Sequence, residues 1–276
     1  MSLAVVKPVP HAVGGQTPKA MVSIDAVTMS FGAYVAVQDV NLTVADGEFL
    51  AIVGPTGCGK STILNAIAGL LKPAAGTVSI DGAAVKGVQN AIGYLFQQDA
   101  LLPWKTALEN VELGPMFKGV DASERRQRSM AWLAKVGLKG FEHRYPHQLS
   151  GGQRIRVQMA QALITGPKVI LMDEPFSALD IHTRHLMQNE LLRLWQEERR
   201  AVVMITHDLE EAIALGDRVV VLAAGPRSRV IDSFTVDLDR PREVAEIKLD
   251  PRFMDLYRNI WASLRGEVEK SYERHD

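Results

Sequence analysis

No stretch of this sequence comes near the ~20 consecutive apolar residues that a membrane-spanning helix needs. Its long apolar stretches, among them Val169–Met172, Ala201–Ile205 and Val219–Ala224, have the length of buried strands. If the chain works at a membrane, another chain must hold it there. Cysteine is nearly absent: Cys58 is the only one. A single thiol builds no internal disulfide, so a reducing compartment is the simpler expectation. Net charge is also scarce, at -1, so no global basic field draws nucleic acid, although a local basic patch stays open. The N-terminus lacks a secretory pattern. Its apolar stretch, Leu3–Val6, breaks at Lys7 and Pro8, short of the roughly 7–15 residues that an apolar leader core requires. No internal repeat or low-complexity segment is visible.

What is present is ordinary globular material: 276 residues, 47% apolar and 23% charged, enough for one large α/β domain or two small ones. Residues 1–20 carry Pro8, Pro10, Gly14, Gly15 and Pro18 without a period and read as a flexible tail. Val22–Val27 and Asn41–Val44 read as short strands with alternating faces. Glu48–Val53 is an apolar strand entering a glycine-rich turn, and Ser61–Leu71 an apolar helix stopped by Lys72-Pro73. Thr77–Ile80 and Ile92–Phe96 read as strands. From Thr106 to about Leu149 the texture turns helical and polar. There the charged run Glu124–Arg128 reads as a solvated helix face. Lys168–Met172, Ala201–Ile205 and Arg218–Ala223 resume the strands, with helices at Asp180–Glu198 and Leu209–Leu215 between them. Continuous Val/Ile/Leu strands alternating with helices predict a mostly parallel sheet covered on both faces. A helix with a charged end is expected from Pro251 onward.

The strongest chemical signal is Gly54-Pro55-Thr56-Gly57-Cys58-Gly59-Lys60-Ser61. It fits G-x-x-x-x-G-K-[ST] and lies between an apolar strand and an apolar helix, the context that motif requires. Its glycines let backbone N–H groups close around phosphate oxygens, and the helix N-terminus adds its positive end. In that arrangement Lys60 reaches the β- and γ-phosphates and the Ser61 hydroxyl ligates Mg²⁺. A second signal is the strand Lys168–Met172 delivering Asp173 and Glu174 at its C-terminal end, where ligands bind in open parallel sheets. Asp173 would support Mg²⁺ and Glu174 would polarise the attacking water. Taken alone, a strand ending at an acidic turn looks the same. The third is Leu149-Ser150-Gly151-Gly152-Gln153, where Ser150-x-x-Gln153 forms a capping box that starts a helix.

Together, in this order and spacing, these motifs resemble the ATP-binding cassette family of transporter ATPases over roughly residues 22–235. The resemblance implies an α/β fold: a P-loop NTPase core with a mostly parallel sheet, an N-terminal antiparallel β subdomain and a helical subdomain inserted at about residues 100–165. It places the ATPase domain at 21–250, with 251–276 as a helical tail. ATP and Mg²⁺ are the implied ligands, held by Gly54, Pro55, Thr56, Gly57, Cys58, Gly59, Lys60, Ser61 and the following Thr62. The resemblance also assigns further roles. Phe31 stacks on adenine, with a core phenylalanine as the bland alternative and Tyr34 in reserve. Gln97 touches Mg²⁺ and senses the membrane partner. Ser150, Gly151, Gly152 and Gln153 meet the γ-phosphate held by a second copy. Asp180, in Ser177–Asp180, joins the two copies, and His207 contacts the γ-phosphate beside the catalytic Glu174. One departure is Gln161, where the family often has arginine.

The segments Gln97–Trp104 and Val221–Ser228 resemble the nitrate, sulfonate and taurine uptake branch. That implies an importer subunit on the cytoplasmic face of the membrane. It would pair head to tail with its own copy, bind separate permease subunits, and serve a solute-binding protein only indirectly, with no nucleic acid involved. A repair or chromosome ATPase would need a long coiled coil between the phosphate loop and Ser150, and no sustained heptads are present. A translation-type member would carry two cassettes. A non-enzymatic regulator would be expected to lack the carboxylate at position 174.

Overall fold

The structure, a computed structural model, describes residues 19–97 and 100–273. Most of the expected tail lies outside those residues, as do Gln98 and Asp99. In chain order the first strands are β1 (Ala20–Phe31), β2 (Tyr34–Ala45) and β3 (Phe49–Val53), followed by helix α1 (Lys60–Ala68), β4 (Ala75–Ile80) and β5 (Ala83–Ala84). Next come β6 (Ile92–Leu95), α2 (Ala107–Phe117), α3 (Ala122–Lys135), α4 (Gly151–Leu163), β7 (Val169–Asp173) and α5 (Ile181–Glu198). The chain closes with β8 (Ala201–Ile205), α6 (Leu209–Leu215), β9 (Arg218–Leu222), β10 (Val230–Thr235) and α7 (Pro251–Glu273). It divides into two compact units, one formed by residues up to 89 and from 199 onward, the other by 90–198.

In the first unit β1 and β2 make an antiparallel hairpin extended by β4 and β5, in the order β2-β1-β4-β5. These two strands run longer than the alternation suggests. Ala26 and Asp39 take φ of 51° and 50°, and the pairing register shifts at Ile24/Val27 and Val27/Met29. Each bulge slips the period of 2, so the alternation reads as two fragments. The unit's second group of strands is β10-β9-β3-β8. There β3 lies parallel to both β8 and β9, while β10 runs antiparallel to β9. Every residue of β3 and β8 is buried, as expected for parallel strands covered on both faces.

Helix α1 stops earlier than Lys72-Pro73 suggests. Gly69 turns left-handed at φ 73°, and its N–H and that of Leu70 bond the carbonyls of Ala66 and Asn65. A Cβ at Gly69 would stand 1.9 Å from the Gly87 carbonyl oxygen, so only glycine fits this stop. β5 and β10 were not foreseen: two alanines and the mixed Val230–Thr235 carry no clear pattern. Nor was buried Arg242, whose guanidinium donates to the carbonyls of Ile213 and Gly216 at the end of α6 and to those of Val236 and Leu238.

In the second unit β6 and β7 are a parallel pair, with α2, α3 and α4 packed on one another. The run Glu124–Arg128 is largely exposed along α3, as expected. Of the apolar residues after Gln97, Leu101 is buried and Leu102 half-buried, whereas Trp104 is 70% exposed. Part of that segment is therefore core, held by Asn110, whose side chain bonds both the N–H and the carbonyl of Leu102.

Candidate functional site

The register of the parallel strands sets which side chains leave the sheet together. Ile52 of β3 pairs with Ile205 of β8. Two residues beyond each lie Gly54 and His207, at the same C-terminal edge of the first unit. This is the edge where parallel sheets place their ligands. In the second unit Leu95 of β6 pairs with Met172 of β7, so Gln97 and Glu174 emerge side by side. Their side chains meet, Gln97 Nε2 donating to Glu174 Oε2 at 3.3 Å.

The Gly54–Ser61 turn is shaped by its own backbone. Gly57 and Gly59 take φ of 75° and 96°, conformations that side chains resist. A Cβ at Gly59 would stand 2.5 Å from Val37 Cγ1, whereas one at Gly57 would meet nothing within 4 Å. The loop is thus packed on one side and open on the other. Lys60 is buried, and its ammonium donates to the carbonyls of Gly54 and Pro55 at 2.8 and 3.0 Å. Helix α1 begins here with no side-chain cap and no acidic residue in its first turn. By contrast, α2, α3, α4 and α6 are capped by Thr106, Asp121, Ser150 and Asp208. First-turn N–H groups without a side-chain partner, an open glycine face and a buried cation suit a phosphate chain. Thr56 and Ser61 are exposed and Thr62 is half-buried. Burial pushes the Cys58 thiol above its ordinary range, since a thiolate in that interior would be poorly solvated.

Phe31 and Tyr34 face each other across the hairpin end, each 49% exposed. Exposure of that size removes the reading of Phe31 as a core residue. His207 is exposed after the buried Thr206, and Asp208 accepts from the N–H groups of Glu210 and Glu211 to start α6.

In the second unit Asp173 closes β7 at 9% exposure. Burial, and next the Asp173 charge, push the Tyr94 hydroxyl pKa up; the Tyr94 ring stacks on Phe96 at 4.0 Å. Glu174 has φ 44°, a left-handed backbone rare outside glycine, and its carbonyl accepts from Ser177 Oγ. At α4 the capping box forms as expected: Ser150 Oγ accepts from Gln153 N–H at 3.3 Å and Gln153 Oε1 from Ser150 N–H at 2.9 Å. The Ser150 hydroxyl hydrogen remains able to donate outward. Gly152 is buried, and a Cβ there would stand 2.8 Å from Thr183 Cγ2 of α5. Asp180 accepts from Thr183 N–H at 3.0 Å, a bond that lowers its carboxyl pKa.

Among the described residues no three His, Cys, Asp or Glu side chains gather as a metal cage. Mg²⁺ takes hard oxygen ligands and leaves part of its shell to substrate phosphates and water, so it needs no such cage, and the exposed Ser61 hydroxyl is an oxygen donor of the kind it accepts. Sequence reasoning missed the loop after β9 as a neighbour of the phosphate loop. A Cβ at Gly225 would stand 3.1 Å from the Gly57 carbonyl oxygen. No residue-type pattern signals that contact.

A phosphate loop leading from a parallel strand into an uncapped helix, in an α/β fold, defines the class of P-loop nucleoside triphosphatases. Within that class, the ABC transporter family model matches residues 37–177. An uncharacterized ABC transporter ATP-binding protein of Methanocaldococcus jannaschii is 46% identical over 236 residues, covering 86% of each chain. The taurine import ATP-binding protein TauB of Shigella sonnei is 42% identical over 238 residues, covering 85% of this chain and 93% of that one. A solved likeness is the dimeric post-hydrolysis state of the ATP-binding cassette MJ0796 bound to ADP and Pi. It has a TM-score of 0.69 and 37% identity, and covers 79% of this chain and 100% of that one. The chain belongs to the ABC transporter family and is an ATPase of it, with ATP and Mg²⁺ as its ligands.

Proposed function

We propose that the chain is the energising subunit of an importer for a small solute of the nitrate, sulfonate or taurine kind. It would work as a head-to-tail pair beneath separate permease subunits. The observation that carries the ATP reading is the open, uncapped Gly54–Ser61 turn with buried Lys60. Likeness to taurine import ATP-binding proteins supports the importer reading. No helix among the described residues is long and apolar enough to cross a membrane, so transport needs a membrane partner. Trp104, exposed at 70% beside Pro103, is the apolar surface we assign to that partner.

In this reading the backbone N–H groups of residues 54–62 and the Lys60 ammonium bind the phosphates, and Phe31, with Tyr34 beside it, offers a ring face to adenine. Glu174 takes a proton from the attacking water, Gln97 orients Glu174 through the bond they share, and His207 donates to the γ-phosphate. Ser61, Gln97 and Asp173 are the oxygen donors assigned to Mg²⁺, which when bound neutralises charge on the phosphate oxygens. Ser150, Gly151, Gly152, Gln153 and Asp180 serve the nucleotide of the second copy.

The test is reconstitution of the chain with a candidate importer permease from the same genome in proteoliposomes. ATP-dependent uptake of labelled taurine, an alkanesulfonate or nitrate is expected. Hydrolysis in the assembled complex without uptake of any of the three would remove the cargo class and leave the ATPase.

A further inference from the structure

Helix α7 packs on the first unit through Phe253, Ile260 and Leu264, all buried. Phe253, Ile260 and position 267 recur at a spacing of seven, so position 267 falls on the buried stripe. An apolar residue is expected there, but the sequence has Glu267. Its carboxylate is fully engaged: Oε2 accepts from Ala224 N–H at 2.8 Å, and Oε1 pairs with Lys270. Ala224 is buried and precedes Gly225. At Gly225 a Cβ would stand 3.1 Å from the Gly57 carbonyl oxygen, 3.4 Å from Cys58 Cα and 3.7 Å from the Tyr34 hydroxyl. Ser228 closes the same loop, its hydroxyl donating to the Ala223 carbonyl, while its backbone bonds Ala36 and Gln38 of β2. The 223–228 loop is therefore wedged behind the phosphate loop, and α7 grips it through one carboxylate.

We infer that Glu267 is a positioning residue for the nucleotide: it holds Ala224 so that Gly225 backs Gly57 and Cys58 and keeps the phosphate loop in its binding shape. The C-terminal helix then tunes nucleotide affinity without touching the ligand. The inference rests on the reading of Gly54–Ser61 as the nucleotide site.

Cys58 is the sole cysteine and is buried in the loop concerned, so its alkylation by a small maleimide in the nucleotide-free chain reports loosening directly. The full-length chain is compared with Glu267→Ala and Glu267→Gln. Measurements are the Cys58 alkylation rate, the Kd of a fluorescent ATP analogue with Mg²⁺, and Tm. Glu267→Ala should be alkylated about tenfold faster and bind about tenfold more weakly, the factor set by one charge-assisted hydrogen bond. Glu267→Gln keeps an acceptor for Ala224 N–H and should restore both. Wild-type rate and affinity in Glu267→Ala, or Glu267→Gln as impaired as Glu267→Ala, would overturn the role. If Glu267→Ala fails to fold, Gly225→Ala presses on the same contact and leaves α7 intact; unchanged affinity there overturns it equally. A wild-type chain that binds no nucleotide would instead sink the nucleotide-site reading, whereas wild-type affinity in Glu267→Ala sinks only the positioning role.

Discussion

Glu174→Gln and Glu174→Gly together separate the chemistry proposed for this residue from its backbone strain. Glu174 sits at φ 44°, where an L-residue with a Cβ costs about 1–2 kcal/mol relative to right-handed backbone. Glutamine carries the same Cβ, so the strain is unchanged, and it can still hydrogen-bond Gln97. Glu174→Gln should therefore stay within about 0.5 kcal/mol of wild-type stability. Its amide has no useful basicity. If Glu174 takes the proton of the attacking water, turnover should fall by about 10²-fold or more, at least ~2.7 kcal/mol of transition-state stabilisation. Glycine relieves the strain but adds about 0.5–1 kcal/mol of unfolded-chain entropy and gives up the 3.3 Å contact with Gln97. The balance is roughly 0–1 kcal/mol in favour of Glu174→Gly, with the same loss of turnover. Phosphate release at saturating Mg-ATP and thermal melts without nucleotide read the two effects apart. With hydrolysis blocked, Mg-ATP should also shift Glu174→Gln from monomer to dimer on a sizing column, and EDTA should reverse it. Glu174→Gln turnover within threefold of wild type would refute the base, and Glu174→Gly destabilised by more than ~1 kcal/mol would refute the strain.

Lys60→Ala removes the buried ammonium of the phosphate loop; fluorescent ATP analogue binding should weaken by about 100-fold, and unchanged affinity would deny the assignment. Mixing Lys60→Ala with Ser150→Arg, each inactive alone, should restore some hydrolysis, because one composite site in a head-to-tail pair escapes both changes; no recovery counts against sharing. Gly59→Ala forces a Cβ into Val37 at φ 96° and should cost about 2 kcal/mol by urea melts. Burial raises the Cys58 thiol pKa, so the folded chain keeps its proton at pH values where the unfolded chain loses it. Stability should thus fall as pH rises through and beyond the ordinary thiol range. Cys58→Ala should flatten that alkaline slope in urea midpoints measured on either side of it.

The parallel core was legible because β3, β7, β8 and β9 are nearly continuous Val/Ile/Leu/Met, and burial on both faces leaves no other use for such runs. The phosphate loop and the Ser150–Gln153 box were legible because each encodes its geometry locally, through glycine φ angles or a cap. What escaped was nonlocal. The bulges at Ala26 and Asp39 hid the length of the first hairpin. The end of α1 at Gly69 depends on the approach of Gly87, 18 positions along the chain in number and invisible in the helix pattern. Arg242 and Glu267 read as surface charges by residue type, yet each satisfies backbone groups supplied by distant segments.

The helix starts show how one end was kept apart. Thr106, Asp121, Ser150 and Asp208 each close a helix with their own oxygen, an arrangement worth about 1 kcal/mol per end. Helix α1 has no such closure, and Gly59 shows why. At φ 96°, with Val37 2.5 Å from any Cβ, the residue that would supply a cap cannot stand there. The first N–H groups of α1 are thereby left without a side-chain oxygen. The loop is therefore less stable alone than the other helix starts, and an anion that supplies the missing oxygens restores the difference. Ligand binding and folding are then coupled at this one end, and nucleotide should raise Tm by an amount that grows with the logarithm of its concentration over its Kd.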